Sequence, residues 1–126
     1  MMRTVLLISA AMAVGAYDWN WRETVTLPAN KNEVTSSAYA GNVGKANLEV
    51  EFGSAGNAKL IFQYSTGGGW NSIESISVIP GDIGATSIWG NSNEFLFRIK
   101  VQSDPWVLIG NPGRIAWGRL YTAFDD

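Results

Sequence analysis

The groups able to do chemistry in this sequence are its eleven acidic residues, its lysines and its hydroxyls, because it holds neither histidine nor cysteine. Serine acts as a nucleophile only beside a base, and none of Lys31, Lys45, Lys59 or Lys100 stands three residues after a serine. A pair of carboxylates hydrolyses glycosides without histidine, and Glu49, Glu51, Glu74, Asp82, Glu94 and Asp104 are available for that role. Glu49 and Glu51 alternate with Leu48, Val50 and Phe52, as solvated residues on the outer side of a strand do. Asp82, Asn91, Asn93 and Asp104 offer oxygen ligands but lack the dense spacing of a calcium loop. Gly44-Lys45 lacks both the upstream glycine and the following hydroxyl residue of a phosphate loop, and Gly67-Gly68-Gly69 reads as a hairpin turn. The chain is therefore expected to be no enzyme, with no cofactor and no metal.

Aromatic residues are the other chemically distinctive group, with six Trp, five Phe and four Tyr. Tyr17, Trp19 and Trp21 fall at alternate positions, so on a strand their rings share one face. Such a stripe suits an inner core face, a patch buried against another subunit or a platform for sugar rings. Core or subunit interface is the favoured expectation. Trp106, between Pro105 and Val107 in a predicted loop, is the better single candidate for an exposed contact. Tyr17, Trp19, Trp21 and Trp106 are thus the candidate protein or glycan contacts.

The elements that must position these groups are strands. No stretch sustains apolar residues at helical spacing, and Gly or Pro interrupts nearly every window of a dozen residues. Leu48, Val50 and Phe52 are expected to face the core together, followed by a turn at 54–57. Ala58, Leu60, Phe62 and Tyr64 alternate in the next run, and the two runs are expected to pair as an antiparallel hairpin. Trp70 opens a strand through Ile73, Ile76 and Val78, ended by Pro80-Gly81-Asp82-Ile83-Gly84. Phe95, Phe97, Ile99 and Val101 alternate with Glu94, Leu96, Arg98 and Lys100 in the clearest strand of all, and a last strand runs from Arg114 to Phe124. Strands spaced at about ten residues predict an all-β fold, an antiparallel β-sandwich or jelly roll.

Length and composition bound the rest. The 126 residues suit one domain over the whole chain, with residues 1–22 as an N-terminal arm or first strands. Apolar residues at 46% against 16% charged predict a folded chain. A net charge of −2 with scattered basic residues argues against nucleic acid as a partner. The apolar run from Thr4 to Ala16, after Met1-Met2-Arg3, has the build of a secretory leader and is too short to cross a bilayer, which takes about 20 residues. It is read here as an ordered first strand, with the leader as the other reading, and no membrane is expected as a partner.

The order of motifs resembles that of small virion proteins of tailed bacteriophages, the head-decoration and fibre-like components with sandwich or jelly-roll folds. The resemblance lies in the start from Leu6 to Ala16, in Leu48 to Gly53, in Ala58 to Ser65 followed by Gly67-Gly68-Gly69-Trp70, in Phe97 to Val101, and in Trp117 to Phe124. Trp19-Asn20-Trp21 and the segment from Pro28 to Lys45 have no counterpart in it. The resemblance implies a structural component of the virion that self-associates, with a trimer favoured, and binds other virion proteins such as the major capsid protein. The alternative is a secreted, extracellular carbohydrate-binding sandwich, in which glycan is the partner.

Overall fold

A computed structural model of the chain describes residues 17–105 and 113–124. Trp106 and the apolar start from Thr4 to Ala16 lie outside the described residues. Eight strands are described: β1 (Asn20–Leu27), β2 (Glu33–Thr35), β3 (Tyr39–Val50), β4 (Asn57–Ser65), β5 (Asn71–Val78), β6 (Ile83–Ala85), β7 (Trp89–Asp104) and β8 (Ala116–Ala123). All of their pairings are antiparallel. The fold is an all-β antiparallel sandwich.

The two long strands each serve two partners. Tyr39 to Gly44 of β3 pair with the first part of β7, and from Val43 to Val50 the same strand pairs with β8. Strand β7 continues from Leu96 to Asp104 along β4. One face of the molecule therefore runs β1-β8-β3-β6 and the other β2-β7-β4-β5. Alternation decides what lies between them: Leu48 and Val50 from β3, Leu60 and Phe62 from β4, Phe97, Ile99 and Val101 from β7, and Leu120 from β8 are buried together. The rings of Phe62 and Phe97 stack with centroids 5.7 Å apart. Trp89 stacks on Tyr64 at 4.4 Å and meets Phe95 at 5.1 Å, closing one end of the core.

Two expectations are corrected. The runs around Leu48 and Leu60 do not form a hairpin with each other; β3 pairs with β6, β7 and β8, whereas β4 pairs with β5 and β7. Residues 51–56 carry the chain from one sheet to the other, and alternation, which fixes faces only, holds no record of that crossing. Phe52 does not join the core. It lies beyond the end of β3 with 88% of its surface exposed. The hairpin through Gly67-Gly68-Gly69 does form, joining β4 to β5, and Gly67 and Gly69 take positive φ there.

Gly118 leaves no room for a side chain between the sheets. A Cβ at that position would stand 2.6 Å from Cγ2 of Val101 and 3.1 Å from Cδ1 of Ile99 on the opposite sheet. At the edge, the Tyr39 hydroxyl donates to Oε1 of Glu23 at 2.8 Å, tying β3 to β1. That hydrogen bond, with burial next and the negative charge of Glu23 third, raises the Tyr39 phenol above its ordinary value of 10.0.

Two outcomes follow. Gly118→Ala is expected to cost about 1–3 kcal/mol by overpacking, read as a lower urea midpoint at unchanged slope. For Tyr39, the folded-state value lies above the unfolded one, so its stabilisation is complete below about pH 10 and lost as pH rises through the folded value. Tyr39→Phe should therefore be less stable than the parent at neutral pH, and the gap should close on the alkaline side. A gap that stays constant from neutral to strongly alkaline pH would show that the phenol does not titrate as described.

Candidate functional site

Strand β8 alternates Ala116, Gly118 and Leu120, which are buried, with Trp117, Arg119 and Tyr121, which are half-buried on the outer face. Cross-strand partners in register share a face. Glu49, Asn47 and Lys45 of β3 therefore flank Trp117, Arg119 and Tyr121 on one side, and Thr26, Thr24 and Trp21 of β1 flank them on the other. Nine side chains from three strands thus form one outer surface.

Trp21 reaches this surface through a β-bulge. In a regular strand Trp21 would share its face with Val25 and Leu27, and those two are in the core. The pairing skips Arg22, however, so Trp21 stands opposite Tyr121 while Glu23 stands opposite Leu120. One extra residue reverses the phase of the strand. Trp21 is accordingly 59% exposed, whereas Val25 is 7% and Leu27 0% exposed. Arg22, the extra residue, donates from Nε to the Thr122 hydroxyl at 2.8 Å, and that hydroxyl donates to the carbonyl of Ala40 at 3.0 Å. The Trp21 indole N–H donates to Oγ1 of Thr24 at 3.0 Å, which holds the ring against the sheet.

The rest of the aromatic stripe gathers on the same face. The Lys45 ammonium lies 4.5 Å from the centroid of Trp19 and 5.4 Å from that of Tyr121. Tyr17 packs on Trp19 with centroids 5.5 Å apart. Between the rings, Arg119 makes an ion pair with Glu49 at 3.1 Å and reaches Oδ1 of Asn47 at 3.5 Å. The core half of the core-or-subunit-interface expectation for Tyr17, Trp19 and Trp21 is thus corrected: the rings share the outer face, where an interface with another subunit and a sugar platform would both lie.

The remaining candidates stand apart. Glu74 accepts a hydrogen bond from the Ser87 N–H at 2.8 Å, Asp104 accepts one from the Ser77 hydroxyl, and Glu51, Asp82 and Glu94 are exposed. Asn91 and Asn93 sit near one end of the sixteen-residue strand β7 and Asp104 at the other. Among the described residues no group of three or more His, Cys, Asp or Glu is placed to hold a metal ion. Trp70 packs on the Arg98 guanidinium at 4.2 Å on the opposite sheet, and Trp89 belongs to the core.

Lys45, Trp117, Arg119 and Tyr121 were not singled out from sequence. Alternation marks Trp117, Arg119 and Tyr121 as one face of the last strand, but only the pairing of β8 with β1 and β3 brings them to the Trp21 stripe. The arrangement offers no activated nucleophile. It offers flat rings for stacking, with donors and acceptors set between them.

No family model matches this sequence, and no curated protein matches it. The chain is similar to the crystal structure of the Yersinia pseudotuberculosis-derived mitogen (YPM), at 16% identity over 87% of this chain and 89% of that one, with a TM-score of 0.47.

Proposed function

We propose that the protein is a non-catalytic saccharide-binding sandwich that recognises its ligand on the outer face of β1, β8 and β3. The carrying observation is that Trp19, Trp21, Trp117 and Tyr121 share this face with the Arg119–Glu49 pair and Asn47. The axial C–H groups of a pyranose ring are slightly positive and meet the negative face of an aromatic ring favourably. Sugar hydroxyls need paired donors and acceptors at the rim of that contact, and Asn47, Thr24, Arg119 and Glu49 supply both kinds. An indole already held by Thr24 loses little freedom on binding.

Glycan-array screening followed by calorimetry tests this. Trp21→Ala is expected to weaken binding about tenfold or more at unchanged thermal stability, since the side chain is largely outside the core. Binding that survives both Trp21→Ala and Trp117→Ala would remove this face from the function.

A second reading is a virion structural component, a capsid-decoration or fibre-like subunit that self-associates and binds the major capsid protein. It is favoured by an apolar tip at one end of the sandwich, where Phe52, Ile79 and Ile83 are 88%, 55% and 65% exposed. Contiguous apolar exposure of this kind commonly marks a docking surface. On this reading the protein runs as a trimer or larger species in light scattering, and Phe52→Ser shifts it to monomer. A parent protein that is strictly monomeric and ignores capsids would overturn it.

A further inference from the structure

We infer that the saccharide taken by this face is acidic, a sugar bearing a carboxylate or sulfate read by Lys45; this rests on the saccharide-binding reading above. The two cations on the face differ in how they are matched. Arg119 is paired with the Glu49 carboxylate at 3.1 Å and approaches the Asn47 side-chain oxygen. Lys45 instead sits against Trp19 and Tyr121, with no carboxylate within 4.0 Å among the described residues. Ring faces attract an ammonium without neutralising it, so the charge remains available to an anion arriving from solvent.

The setting makes that charge selective. The chain as a whole carries −2, so no general positive field draws anions to it, and any preference for them must come from a local group. Lys45 stands in register with Tyr121, whose other neighbour is Trp21. A sugar ring stacked over Trp21 therefore brings its substituents toward the neighbouring Tyr121, over whose ring the ammonium lies. A lysine is a point charge on a flexible stem and accepts either a carboxylate or a sulfate, whereas a dedicated planar fork would favour one geometry. The aromatic neighbours limit where the stem can go, so less freedom is lost when the ion pair forms.

The test is calorimetry of the full chain with three probes: an oligogalacturonate, its fully methyl-esterified counterpart and a sulfated galactan oligosaccharide. The oligogalacturonate or the sulfated probe is expected to bind about tenfold or more tighter than the ester. That margin should shrink as salt is raised. Lys45→Gln should abolish the margin between the charged probes and the ester, and Lys45→Arg, which keeps the charge over Trp19 and Tyr121, should restore most of it. Trp21→Ala should weaken all the probes that bind.

Equal binding of charged and esterified forms would overturn the acidic-ligand inference and leave saccharide binding standing. The same holds if Lys45→Gln keeps the full margin. If no probe binds and a broad neutral and acidic glycan array is also silent, the saccharide reading falls and this inference falls with it. Preference for the sulfated over the carboxylated probe, or the reverse, identifies the anion source.

Discussion

The structure depends on two strands that each belong to both sheets. Strand β3 leaves β7 for β8 near Val43, and β7 leaves β3 for β4 near Phe97. For both strands to keep an apolar face beyond that transfer, every second residue must be buried from Gly44 to Val50 of β3 and from Phe95 to Ser103 of β7. Leu48, Val50, Phe97, Ile99 and Val101 meet that demand at or near zero exposure. The opposite positions are then obliged to face outward. Lys45, Asn47 and Glu49 are on the surface for the same reason that Ala46, Leu48 and Val50 are in the core, so the outer aromatic face is the counterpart of the packing pattern.

Phase control matters as much as alternation. The bulge at Arg22 lets one short strand contribute Val25 and Leu27 to the core and Trp21 to the outer face. A guanidinium bonded to Thr122, itself bonded to Ala40, occupies the point where the ladder is interrupted. The bulge does locally what the crossing of β3 and β7 does globally, redirecting side chains without breaking the sheet. A second bulge, between β4 and β5, accommodates the Ile73 and Ile76 spacing that does not fit simple alternation.

The all-β sandwich, the strand at 95–101 and the Gly67–Gly69 hairpin were legible because each is written in local pattern: period-two burial or a glycine run between two such runs. The partners of each strand were not legible. Long-range pairing leaves no trace in alternation, which is why the runs around Leu48 and Leu60 suggest a hairpin although they lie in different sheets. The site shows the same division. The shared face of Tyr17, Trp19 and Trp21 was readable from spacing, but its outward direction depends on a one-residue slip at Arg22 that composition does not announce. Phe52 failed for a related reason: alternation carries the apolar pattern one step past the end of β3, where no opposing sheet remains to cover it.

A flat sheet face sets its own limits on recognition. On the proposed reading it would contact a saccharide from one side only, so most of the ligand would stay hydrated and each stacked ring would contribute modestly compared with an enclosing cleft. Affinity for a single ligand is therefore bounded by a few rings and one or two charge contacts, and useful residence on a surface requires several such faces acting together. Linked sites gain affinity through effective concentration without any new contact. Phe52 and Ile79 lie on the β3–β4 and β5–β6 turns and Ile83 opens β6 opposite Glu49, whereas the aromatic stripe enters from the chain start through β1. The two proposed readings therefore meet on one sheet: Ile83, Glu49 and Trp117 lie side by side on its outer face, so assembly through the turns would approach the Trp117 end of the aromatic stripe, whereas Trp21 and Tyr121 stand at its other end.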